Sequence, residues 1–163
     1  MKTLMLIFIL FSLFLNAQEK IVGIYQNELG ECLVLNSDNT FEYTWKLDLS
    51  SSWNVGTWQI KEDKFIYLKI NEIKDTLIVK DELKMVLSYD KISNTILHNE
   101  YITNIVSSGG QSRKLPPNRL LFKDGIIYTY SKKDKIQNKK TKGLIDKSVL
   151  VKPWFEKKEV SIP

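Results

Sequence analysis

The feature that most constrains this chain is strict alternation. In Thr40-Phe41-Glu42-Tyr43-Thr44-Trp45-Lys46 an aromatic side chain stands at every second position, with polar residues between. Successive side chains of an extended strand point to opposite faces, so such a segment has one apolar and one polar face. Leu83, Met85, Leu87 and Tyr89 repeat the pattern, with Lys84 and Ser88 turned the other way. Both segments predict half-buried antiparallel strands.

Short turn sequences join runs of this kind. Asn36-Ser37-Asp38-Asn39 precedes the Phe41 run, Lys61-Glu62-Asp63 separates Trp58-Gln59-Ile60 from Phe65-Ile66-Tyr67-Leu68, and Lys80-Asp81 follows Thr76-Leu77-Ile78-Val79. Lys123-Asp124-Gly125 sits between Leu120-Leu121-Phe122 and Ile126 to Tyr130, and its Asp-Gly pair supplies the positive φ of a tight hairpin. With Ile21 to Tyr25 and a weaker segment from Ile96 to Ile102, the count reaches eight or nine strands. Sequential hairpins in that number predict an all-β fold, an antiparallel β-barrel or a closed sandwich. No long stretch has helical periodicity. A short helix is expected at most between Asp134 and Lys147, and Ser107 to Arg113 reads as a flexible loop stiffened at its exit by Pro116-Pro117.

The first residues read differently. Met1-Lys2-Thr3, the apolar run Leu4 to Leu15 and the small residue Ala17 have the layout of a secretory signal. The apolar run is shorter than the roughly 20 residues that span a bilayer as a helix, and no second such run follows. The expected organisation is therefore a signal peptide over 1–18, a barrel domain over 19–131, and a lysine-rich extension over 132–163 packed on or tailing from the same domain. The expected destination is the periplasm or the extracellular space, with no transmembrane segment in the mature chain.

Charge marks the extension. Ten lysines and four acidic residues lie between Lys132 and Pro163, a net of +6 in a chain of net +5. That stretch would suit an anionic surface or an envelope protein as partner, or it is simply a solvated face. Nucleic acid is not expected outside the cytoplasm.

Catalytic constellations are scarce. One histidine, His98, and one cysteine, Cys32, cannot make a zinc site, and Cys32 cannot form an internal disulfide. Cys32 lies in a strand-like apolar run and reads as a small packed hydrophobe. His98 reads as a surface or structural residue near a strand start. Ser50-Ser51-Ser52 has no nucleophile elbow around it, Glu42 falls on a polar strand face, and Asp48 falls in a loop. Asn36, Asp38 and Asn39 suit a turn rather than a calcium loop. No catalytic residue, metal site or cofactor is predicted, and the chain is not expected to be an enzyme.

Gly23-Ile24-Tyr25, Leu35 to Tyr43, and Gly56-Thr57-Trp58-Gln59-Ile60 ahead of Phe65 to Leu68 together resemble the small bacterial lipocalin-like domains over residues 21–68. Tyr25 stands where lipocalins proper carry Trp. The resemblance implies a β-barrel able to enclose a small apolar ligand. Aromatics concentrate in this half of the chain, and they face either a filled core or a cavity. The leading expectation is a non-enzymatic binding protein for a small apolar or amphipathic ligand, with Tyr43, Trp45 and Trp58 as candidate ligand-binding residues. The alternative is an envelope protein-interaction module acting through the basic tail or a strand edge.

Overall fold

The structure, a computed structural model, describes residues 20–62 and 64–159. The expected signal peptide lies outside the described residues.

Eight strands close a barrel: β1 (Gly23–Gln26), β2 (Glu31–Leu35), β3 (Thr40–Leu47), β4 (Ser50–Lys61), β5 (Phe65–Asn71), β9 (Arg119–Lys123), β10 (Ile126–Tyr128) and β13 (Phe155–Lys157). Around the barrel the order is β1-β13-β10-β9-β5-β4-β3-β2, returning to β1, and every pair is antiparallel. The expected fold class is thus the observed one. Its membership is not what the hairpin pattern implies, because the strand that closes the barrel comes from within the lysine-rich stretch 132–163.

Alternation decides what fills the interior. Residues paired directly across an antiparallel ladder share a face, and the ladder sets Leu35 against Phe41, Leu33 against Tyr43 and Phe41 against Gly56. Leu33, Leu35, Phe41, Ile66, Leu120 and Phe155 all meet in one buried cluster. Gly56 is required where it stands, because a Cβ there would run into the Lys69 carbonyl of β5 and lie 2.8 Å from the Phe41 ring. At the end of the barrel near the β2–β3 turn, Ile21 is buried and its carbonyl accepts a 2.8 Å hydrogen bond from the Tyr25 hydroxyl.

Between β5 and β9 the chain leaves the barrel. There β6 (Lys74–Val79), β7 (Glu82–Leu87) and β8 (Thr95–Leu97) form a second sheet in the order β7-β6-β8, with β6 and β8 parallel. The Leu83 segment is a strand, as expected, but its apolar side is not half-buried: Leu83 is 72% and Met85 62% exposed. The covered face is the other one, which carries Leu77 and Ile96. The Ile96–Ile102 segment is corrected further, since only its start is strand. Beyond Leu97 the sheet offers no neighbour for the backbone, so the groups bond within the segment, and His98–Val106 forms a helix, α1. His98 is its first residue and is exposed.

The helix expected between Asp134 and Lys147 is not formed. Turns and bends occupy that span, with β11 (Thr141–Lys142) paired to β12 (Leu150–Val151). With no apolar stripe to dock a helix, Asp146 instead caps a tight turn by accepting from the Ser148 amide at 2.8 Å.

Candidate functional site

The inner face of β2, β3 and β4 changes character along its length. Towards the β2–β3 turn it is apolar, but at the other end the inward positions are Glu31, Tyr43, Trp45, Ser52 and Asn54. Pairing brings them together: Glu31 lies across from Trp45, Tyr43 from Asn54, and Trp45 from Ser52. Polar groups on a buried face need partners, and most of these partners come from a segment that straps the barrel end, residues 107–118.

The strap is tied down at several points, in contrast to the free loop expected from its glycines. Trp53 donates its backbone N–H to the Gly110 carbonyl at 3.2 Å, and Ser112 returns a bond to the Trp53 carbonyl at 3.3 Å. Asn54, fully buried, donates through Nδ2 to the Lys114 carbonyl at 2.9 Å and accepts from the Ser112 hydroxyl at 3.2 Å. The Lys114 amide donates to Ser52 Oγ at 2.9 Å. Gln111 is buried, and its Oε1 accepts from the Ile73 amide at 2.7 Å, which joins the strap to the start of the second sheet. Gly110 has φ +112° and packs against the Tyr89 ring, a place and conformation that only glycine fills easily.

From this strap the Lys114 side chain reaches the Glu31 carboxylate and pairs with Oε1. Glu31 Oε2 accepts from Asn27 Nδ2 at 2.6 Å, so both oxygens of this nearly buried carboxylate are engaged. The Lys114 ammonium also lies 5.0 Å from the Trp45 ring centre, a cation–π placement. Positive and negative charge are therefore matched within the site.

Two donors are not matched. Trp45 Nε1 and the Tyr43 hydroxyl are buried and find no hydrogen-bond partner of normal geometry in the protein. The hydroxyl is near Glu31, and that proximity has an effect. Burial first, then the Glu31 charge and a loose hydrogen-bonding contact with its carboxylate, push the Tyr43 phenol well above the ordinary tyrosine range. Tyr43 thus stays a neutral O–H donor across the physiological range.

Of the three candidate ligand-binding residues, the fold brings Tyr43 and Trp45 together and sets Trp58 apart. Trp58 is buried nearer the β2–β3 turn, where its indole N–H donates to the Asn36 carbonyl at 3.0 Å and its amide to the Asn39 carbonyl at 2.8 Å. Glu31, Ser52, Asn54 and Lys114 escaped sequence reasoning. Strand parity could have found three of them, because Glu31 shares the parity of Leu33 and Leu35, and Ser52 and Asn54 share that of Gly56 and Trp58. Lys114 sits outside any strand and carries no such signal.

The other residues weighed for chemistry lie elsewhere. Glu42 points outward from β3 and pairs with Lys91, Asp48 lies exposed in the β3–β4 turn, and Cys32 is a free, half-buried thiol on β2. Asp38 caps its turn by accepting from the Thr40 amide at 2.9 Å and from the Thr40 hydroxyl, and these bonds lower its pKa. On the outer wall Arg119 stacks over Tyr130 at 4.2 Å and pairs with Asp134, so its charge is already engaged. Among the described residues no group of three or more His, Cys, Asp or Glu side chains is placed to hold a metal ion, and no helix is long and apolar enough to cross a membrane. The chain matches no family model, no curated protein and no solved structure.

Proposed function

We propose that this is a non-enzymatic binding protein of lipocalin-like type, exported from the cytoplasm, that holds a small apolar or amphipathic molecule at the strap end of its barrel. The observation that carries the reading is the pair of buried donors, Trp45 Nε1, which has no partner, and the Tyr43 hydroxyl, which meets only a Glu31 carboxylate already engaged by Lys114 and Asn27. An unmade hydrogen bond in a buried place costs about 1–3 kcal/mol, and a ligand that accepts from these donors recovers it. The eight-stranded closed barrel is compatible with the lipocalin-like architecture and has the size that holds one small ligand or a filled core. Because aliphatic and aromatic side chains already fill the region around Phe41 and Ile66, the guest is small or inserts only one end. The non-enzymatic reading rests on the site's charges: Glu31 and Lys114 neutralise each other and leave no free base beside a nucleophile.

The test is native mass spectrometry of the protein purified from its own host, before and after unfolding. A discrete small-molecule mass that is lost on unfolding is the expected result. A bare protein mass, together with an unchanged spectrum after incubation with host lipid extract, would remove the reading.

A second reading, docking to an envelope protein, has its own observation. The face of the second sheet bearing Leu83, Met85 and Leu97 is uncovered, and β7 has an unpaired edge. The basic tail is a poorer candidate for that role, because Phe155–Lys157 is a barrel strand. Replacing Leu83 and Met85 with serine and finding envelope association unchanged would count against docking there.

A further inference from the structure

We infer that the molecule held at the strap end is uncharged and presents a hydrogen-bond acceptor oxygen, of the amide, ester or ketone class, to Trp45 Nε1 and the Tyr43 hydroxyl. This rests on the ligand-binding reading above and narrows it.

The chemistry of the free groups sets the complementary group. An indole N–H is a donor only, and a neutral phenol beside a carboxylate is most useful as a donor. Trp45 Nε1 has no partner in the protein, and the Tyr43 hydroxyl has only an off-geometry contact with the Glu31 carboxylate, whose oxygens are already bonded by Lys114 and Asn27. What satisfies them is an acceptor, and a carbonyl oxygen with two lone pairs can take both bonds.

The charges of the site set the ligand's charge. Glu31 is nearly buried and has one oxygen bonded by Lys114 and the other by Asn27. Lys114 is engaged by Glu31 on one side and faces the Trp45 ring on the other. A carboxylate ligand would add a second negative charge beside Glu31 with no free cation to answer it, and an amine would add a positive charge beside Lys114 with no free anion. Either leaves an unpaired charge in a poorly hydrated place, which is among the costliest arrangements a protein can hold. A neutral acceptor incurs no such cost. Tyr43 supports the same sign: the factors that hold its hydroxyl neutral, burial and the Glu31 charge, also disfavour an anion next to it.

The test uses three eight-carbon probes that differ only in the head group: octanamide, octanoate and octylamine. Binding to the purified full chain is followed at neutral pH by tryptophan fluorescence and by shifts of the Trp45 indole N–H resonance. Octanamide is expected to bind at least tenfold more tightly than either charged probe. Tyr43→Phe and Trp45→Phe should each weaken octanamide binding roughly five- to tenfold, the worth of one hydrogen bond. Trp45→Phe should leave the thermal midpoint nearly unchanged, because its indole N–H has no partner in the free protein, whereas Tyr43→Phe also removes the hydroxyl's contact with Glu31 and should lower it slightly. Octanoate or octylamine binding as well as octanamide would overturn the inference about charge while leaving a binding site standing. Failure of all three probes to bind would overturn the ligand-binding reading itself. A Tyr43→Phe variant that melts several degrees lower yet binds octanamide unchanged would show the hydroxyl to be structural and overturn its assigned role.

Discussion

Tyr25 and Tyr43 carry the clearest consequence of burial at a single residue. The Tyr25 hydroxyl is sealed inside the barrel and bonded to the Ile21 carbonyl, and burial pushes its pKa up to about 12. Tyr43 moves in the same direction. An unfolded tyrosine ionises near pH 10, so below about pH 10 both states hold the proton and the folded state keeps its full advantage. Above that the unfolded chain gains stability by ionising while the folded one cannot. Stability is therefore lost as pH rises from about 10 towards 12, by about 3 kcal/mol for Tyr25 alone. Tyrosinate absorbance is expected to rise in two phases, the later one coinciding with loss of the far-ultraviolet β signal. A single phase near pH 10 with the fold intact would contradict this. At this scale Tyr43 and Trp45 were legible in the sequence through strand parity. Their polar neighbours were legible in principle but silent in practice, because a glutamate or asparagine on an apolar parity looks like an exception until its partner is known. Lys114, the partner of Glu31, lies on a segment with no periodicity and is far from it along the chain.

Elements show where local pattern stops short of tertiary structure. The Leu83–Tyr89 alternation specified a strand correctly, but parity divides a strand into two faces without saying which one is covered. Here the second sheet turns its Leu77 and Ile96 side inward, and α1 lies against β6 and β8. α1 was hidden for another reason. Ile102, Thr103, Ile105 and Val106 are β-branched and favour extended backbone, yet the parallel pairing with β6 ends at Leu97. The helix is steadied instead by Glu100 in its first turn, by Thr103 Oγ1 donating to the Asn99 carbonyl at 2.9 Å, and by the edge-on contact of Tyr101 with Tyr89. The strap depends on one inward side chain more than on any other, since Asn54 both donates to the Lys114 carbonyl and accepts from Ser112. Asn54→Ala is expected to cost about 1–3 kcal/mol, the penalty for leaving those groups unpaired. Hydrogen exchange should quicken at the amides of Gln111, Ser112 and Lys114, which donate to Ser88, Trp53 and Ser52, and stay slow in β3 and β5. Uniform quickening across the barrel would mean that the strap and the barrel open as one unit.

At the scale of the whole molecule, closure depends on three residues near the end of the described chain. β13 pairs with β1 on one side and with β10 on the other, so Phe155–Lys157 joins the first hairpin to the last. No periodicity could have marked it, because three residues cannot display a period of two, and their lysine-rich surroundings read as a solvated extension. Phe155 is fully buried, and its removal alone, as Phe155→Ala, is expected to destabilise by about 3–5 kcal/mol, a large part of what a single domain commonly has. Ending the chain after Pro153 goes further. It removes the same ring and also leaves the facing backbone groups of β1 and β10 unpaired, turning a closed barrel into an open sheet with two sticky edges. Such a chain should lose its cooperative thermal transition and associate in a concentration-dependent manner, whereas Phe155→Ala should keep a cooperative transition at a lower midpoint. A truncated chain that remained monomeric, with a sharp midpoint close to that of the full chain, would show that β13 decorates the barrel rather than closing it. The ordering of the two variants separates the loss of a core side chain from the loss of closure itself.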